Sequence, residues 1–146
     1  MQLRAYVFVE DATINPPIGS DDWKIEYKFK NNGVTPARNV RTLDVAAVTD
    51  WEPAHLPEPI VADYYGTLAP NGDFIETEAD PFQATVEENA RITSDIASKA
   101  IFLVGRIEYI DVFRQPHFTD FCFYWQGRIG PGTNQMSAYD RGNDAD

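Results

Sequence analysis

The stretch "IFLVGRIEYIDVFRQPHFTDFCFYW", residues 101–125, constrains this chain more than any other. Two long runs of β-branched and aromatic residues flank "RQP", which predicts an antiparallel hairpin. Because side chains alternate between faces, solvent-facing Arg106 and Glu108 place Ile101, Leu103, Ile107, Tyr109, Asp111 and Phe113 on the inner face. Pairing Phe113 with His117 then sets Asp111 opposite Thr119, Tyr109 opposite Phe121, Ile107 opposite Phe123 and Gly105 opposite Trp125. Cys122 falls opposite Glu108, on the other face from His117. A Cys-His nucleophilic dyad needs hydrogen-bond reach, so parity argues against one.

The remaining segments follow the same logic. "WKIEYKFKN" alternates Trp23, Ile25, Tyr27 and Phe29 with Lys24, Glu26, Lys28 and Lys30, a strand with one apolar face. "LRAYVFVEDATI" reads as the first strand and "VRTLDVAAV" as a third with apolar residues on both faces. Asn32-Gly33 and Pro36 mark the turn between the second and third. "TDWEPAHLPEP" carries three prolines that cannot donate to a central ladder, so it is expected to be loop or irregular edge. "FIETEAD" reads as a short exposed strand after the "APNGD" turn. "TVEENARITSDIASKA", residues 85–100, is expected to be helical, since Thr85 and Glu88 make a capping box before an apolar stripe. Short strands at roughly ten-residue spacing with one inserted helix predict a mainly all-β fold, an antiparallel β-sandwich. The sandwich domain is expected over residues 1–128, followed by a mobile, Gly-rich polar tail over 129–146.

Charge limits the function classes. The chain has 12 Lys and Arg against 23 Asp and Glu, a net charge of −11, and eleven of the acids lie between Thr42 and Ala90 with no Lys or Arg among them. Nucleic acid requires a basic footprint that is missing here, and the same reasoning disfavours an anionic membrane surface as a partner. No run approaches the length of a membrane span, and the first residues lack the order of a signal peptide. One cysteine leaves the redox compartment undetermined.

Candidate site residues are few. Asp111, His117 and Thr119 read as a structural hairpin cluster in which the carboxylate accepts from histidine and hydroxyl. They offer only two good metal ligands, so neither a metal site nor a catalytic set is expected. Trp51, Tyr64 and Tyr65 are the best candidates for exposed aromatics that recognise a peptide or sugar. Asp73, Glu76, Glu78 and Asp80 could attract calcium but match no loop of regular ligand spacing. His55 stands alone, and "GRIGPG" lacks the lysine and following helix of a phosphate loop. No cofactor is implied.

"RAYV", "NNGVTPARNV" and "GRIEYIDVFRQPHFTDFC" together resemble a group of uncharacterised bacterial proteins in which a short membrane-anchoring region precedes the first strand. Asn31, Gly33, Thr35, Pro36, Ala37, Asn39 and Val40 fall on one motif of that group. Gly105, Ile107, Tyr109, Asp111, Phe113, His117, Thr119, Phe121 and Cys122 fall on the other, while Arg114 stands where the group has glycine. The resemblance implies an immunoglobulin-like domain of a membrane-associated protein of unknown function, with an anchor before Met1 and no known active site. The strand pattern and the lack of a catalytic set point to a non-enzymatic interaction or structural module, with a protein partner or self-association.

Overall fold

The periodicity of "WKIEYKFKN" is realised in strand β2 (Asp22–Asn31), where Ile25, Tyr27 and Phe29 are buried and Lys24 and Glu26 are exposed. The computed structural model describes residues 4–15, 22–59, 61–77, 82–83, 99–126 and 135–146. In one sheet β2 lies between β1 (Val7–Asn15) and β5 (Asp73–Thr77), and its start also pairs with β6 (Phe82–Gln83). The second sheet joins β3 (Ala37–Asp50), β4 (Val61–Leu68), β7 (Lys99–Ile110), β8 (Pro116–Trp125) and β10 (Asp144–Ala145) in the order β10-β8-β7-β3-β4, with β9 (Ser137–Ala138) also on β8. All these pairings are antiparallel. The orders β1-β2-β5 and β8-β7-β3-β4 are those of an immunoglobulin-like sandwich whose fourth strand lies beside the third in the larger sheet instead of completing the smaller one.

The core lies between the sheets. Ile14, Ile25, Tyr27 and Phe29 from one meet Ile101, Leu103, Ile107, Phe121 and Trp125 from the other. Each large side chain buried this way contributes about 1.5–3 kcal/mol relative to exposure. A second apolar cluster sits on the outer face of the larger sheet, because "IFLV" is apolar on both sides: Phe102, Val104 and Cys122 pack beneath Trp51, Leu56, Tyr124 and Tyr139. The proline-rich segment is loop, as its composition requires, and it serves as the cover of this cluster.

Several expectations need correction. The hairpin closes with Tyr109 opposite His117, Ile107 opposite Thr119, Gly105 opposite Phe121 and Cys122 opposite Val104. The turn is therefore residues 111–115 rather than "RQP". The pairing moved by an even number of residues, so the paired side chains kept their faces, but Phe113, expected on the inner face, falls in the turn and is 62% exposed. The helix expected over 85–100 lies outside the described residues except Lys99 and Ala100, which already belong to β7, and among the described residues there is no helix. Residues 135–146 are not a free tail: Met136 is buried, and β9 and β10 pair with β8. Between them Asn143 accepts from the Cys122 N–H at 2.9 Å and donates to the Cys122 carbonyl at 3.2 Å, standing in for a strand along that edge. Residues 129–134 lie outside the described set.

Candidate functional site

At the hairpin end, Asp111 is a turn residue whose side chain folds back over its own loop. Its Oδ1 accepts from the N–H groups of Phe113 at 2.8 Å and Gln115 at 2.9 Å, and its Oδ2 lies 2.7 Å from His117 Nε2. Burial pushes this carboxyl upward, but the backbone N–H groups and His117 outweigh it, and the group titrates below its ordinary range. With Asp111 ionised, Nε2 is the donor. The other ring nitrogen, Nδ1, faces Asp146 Oδ1 at 3.3 Å and Arg4 Nη1 at 3.4 Å. Tyr109 stacks on the imidazole at 5.5 Å, and its hydroxyl donates to the Ala5 carbonyl.

A histidine oriented by a carboxylate is the frame of a general base, yet it needs a proton to take. Thr119, the nearest hydroxyl foreseen from sequence, donates instead to the Val7 carbonyl in the opposite sheet. Of the expected three, the structure joins Asp111 and His117 and sends Thr119 to a separate role. Arg4 and Asp146, from the two ends of the described chain, complete a clasp that sequence spacing could not reveal.

Asn31 plays a similar part at the neighbouring loop. Fully buried, it accepts from Tyr6 and Gly33 N–H groups and donates to the Thr35 and Leu68 carbonyls. Gly33 presses so close to the Arg4–Tyr6 backbone that a Cβ would have no room. The motif residues Asn31 and Gly33 thus fix the path of the loop. Cys122 is buried, and loss of water raises its thiol to about 12, with Arg141 pulling it the other way; it is not poised as a nucleophile.

The three aromatics expected to form a recognition surface do not lie together. Trp51 packs on Tyr124 at 4.9 Å in the outer cluster, and Tyr65 packs on Phe29 and Phe74 at the sandwich margin. Only Tyr64, 72% exposed, is free to meet a partner. Of the acids considered for calcium, Asp73 pairs with Lys28 at 3.3 Å, Glu78 and Asp80 lie outside the described residues, and no group of three ligands occurs among those described.

One polar group escaped the sequence reading altogether. Asp44 is 2% exposed and points between the sheets, where Tyr27 donates to its Oδ2 at 2.6 Å while Oδ1 has no partner. Thr42 Oγ1 beside it is also unpaired. Burial raises the Asp44 carboxyl, against the Tyr27 bond. The only sequence signal was strand parity, which puts 42 and 44 inward with Ala46 and Val48.

Beside the segment that covers the second cluster, the outer face of the larger sheet carries two cross-strand ladders. In one, Arg41 donates to Glu108 at 2.9 Å and lies beneath exposed Tyr64; in the other, Arg106 grips Asp120 through both oxygens at 2.6 and 3.0 Å and lies 4.3 Å from the Phe118 ring. A cleft of about 520 Å³ opens at this margin, lined by Leu43, Glu58, Pro59, Val104, Arg106 and Asp120 among others. Comparison with protein-family models, curated proteins and solved structures gives no match for this chain.

Proposed function

We propose that this chain is a non-enzymatic β-sandwich module of a bacterial membrane-associated protein, and that it engages a protein partner through the outer face of the larger sheet around Tyr64. The observation that carries this reading is Tyr64, exposed beside two pre-formed arginine-carboxylate ladders and a cleft. Tyrosine and arginine are the residues on which protein interfaces concentrate their energy, and side chains already held in place lose little entropy on binding. Support also comes from the hairpin end, where the groups that resemble a catalytic set are engaged in holding the fold. The bacterial and membrane setting rests on the motif resemblance alone.

The test is a photo-cross-linking amino acid at position 64 of the full-length protein in its host cells, with position 24, on the outer face of the other sheet, as control. The reading expects a discrete adduct from 64 and none from 24, and an adduct of twice the chain mass would identify the partner as a second copy. No adduct from 64, or equal adducts from both, overturns it.

A further inference from the structure

We infer that the cleft bordering this face seats a lysine or arginine side chain from an extended, basic segment of the partner protein. The inference rests on the interaction-module reading and names the chemistry of what that module holds. Leu43, Pro59 and Val104 give the cleft an apolar lining, and its volume of about 520 Å³ falls within the range of built ligand sites. Such a lining suits the methylene stem of a long cationic side chain, which buries its carbons while its head stays polar.

The charges select the sign of the guest. The two arginines of the ladders are already neutralised by their own chain, Arg106 by Asp120 and Arg41 by Glu108. Among the described residues lining the cleft the cation is Arg106, which an incoming carboxylate or phosphate could take only by breaking its ladder; Arg141, next to Gly142, instead donates to the Pro53 carbonyl. Glu58, by contrast, lines the cleft, is exposed, and has no partner among the described residues. An incoming cation meets that carboxylate first, and Glu108 and Asp120 keep lone pairs that one arginine each does not exhaust. The net charge of −11, all of it attributable to residues 42–90, adds a long-range field of the same sign.

The test is a chemical-shift titration of the full chain with an arginine-centred, leucine-flanked amidated tripeptide, beside its glutamate-centred analogue and spermidine. The arginine peptide should shift the amides of Leu43, Val104, Arg106 and Gly142, less so in high salt, and the glutamate peptide should leave them in place. Glu58→Lys, at an exposed position without a partner, should keep the fold and weaken binding at least tenfold. No shift at about 10 mM arginine peptide, equal shifts with the glutamate peptide, or unchanged affinity in Glu58→Lys overturns the inference. Spermidine binding as tightly as the peptide would overturn the assignment to a protein segment. Adducts from position 64 with a silent cleft sink this inference alone; a responsive cleft without adducts sinks the interaction-module reading and, with it, the assignment of the cationic guest to a partner protein.

Discussion

The Phe121 ring lies directly across Gly105, so close that a methyl group on Gly105 would overlap the ring. The glycine is there to admit the ring, which packs against Tyr27 at 4.9 Å in the middle of the core. Gly105→Ala should therefore cost about 1–3 kcal/mol, the usual penalty of overpacking. Phe121→Leu in the same chain should recover part of that loss, a non-additivity that urea unfolding of the two single variants and the double variant would measure.

Asp44 should make the protein less stable as pH rises. Its folded carboxyl titrates above the ordinary value of 3.8, so between that value and the raised one the folded state holds a proton that the unfolded state has lost. Stability falls through that window and stays lower above it. Asp44→Asn should remove this slope and gain on the order of 1 kcal/mol at neutral pH, with a smaller gain at about pH 3. Denaturant unfolding at the two pH values checks it; a loss of stability at neutral pH would show that the charged form is needed.

Asp111 has the opposite sign. Its folded carboxyl titrates below the ordinary range, so its contribution is complete above the unfolded value and is lost as pH falls through the folded one. Asp111→Asn should lower the melting temperature at neutral pH, and the difference from the parent should shrink below about pH 4. An equal difference at both ends of the range would assign its role to packing rather than charge.

Arg114 occupies the left-handed region with φ of 64° in the hairpin turn, where glycine is the favoured residue. An L side chain there costs about 1–2 kcal/mol, part of which glycine returns through its freer unfolded chain. Arg114→Gly should stabilise by roughly 0.5–1 kcal/mol, read as a rise in the urea midpoint at unchanged slope.

The hairpin shows how far the sequence could be read. Parity separated Cys122 from His117 correctly because alternation is a property of each strand. The register went astray because it depends on how Asp111 folds back onto the N–H groups of Phe113 and Gln115, an event of side-chain geometry that closes the loop early. Strand β4 passed unnoticed because Tyr64 and Gly66 interrupt its pattern, and Gly66, at φ of 79°, sits where its pairing with β3 shifts register. Trp51 looked exposed among prolines because nothing local reveals that Phe102 and Tyr124 leave an apolar face to be covered. Arg4 and Asp146 come to His117 from opposite ends of the described chain, beyond the reach of any spacing argument.

The central claim divides the molecule in two: the His117 clasp holds the fold, and the Arg106 face does the binding. The most direct measurement is the yield of the position-64 cross-link in His117→Ala and Arg106→Ala backgrounds, taken with the unfolding free energy of each. His117→Ala should lose about 1–3 kcal/mol, because buried partners are left unsatisfied, yet keep the cross-link below its melting temperature. Arg106→Ala should stay within about 1 kcal/mol of the parent, as exposed ion pairs do, and lose the cross-link. The reverse pattern, with the adduct dependent on His117 and indifferent to Arg106, would contradict the account.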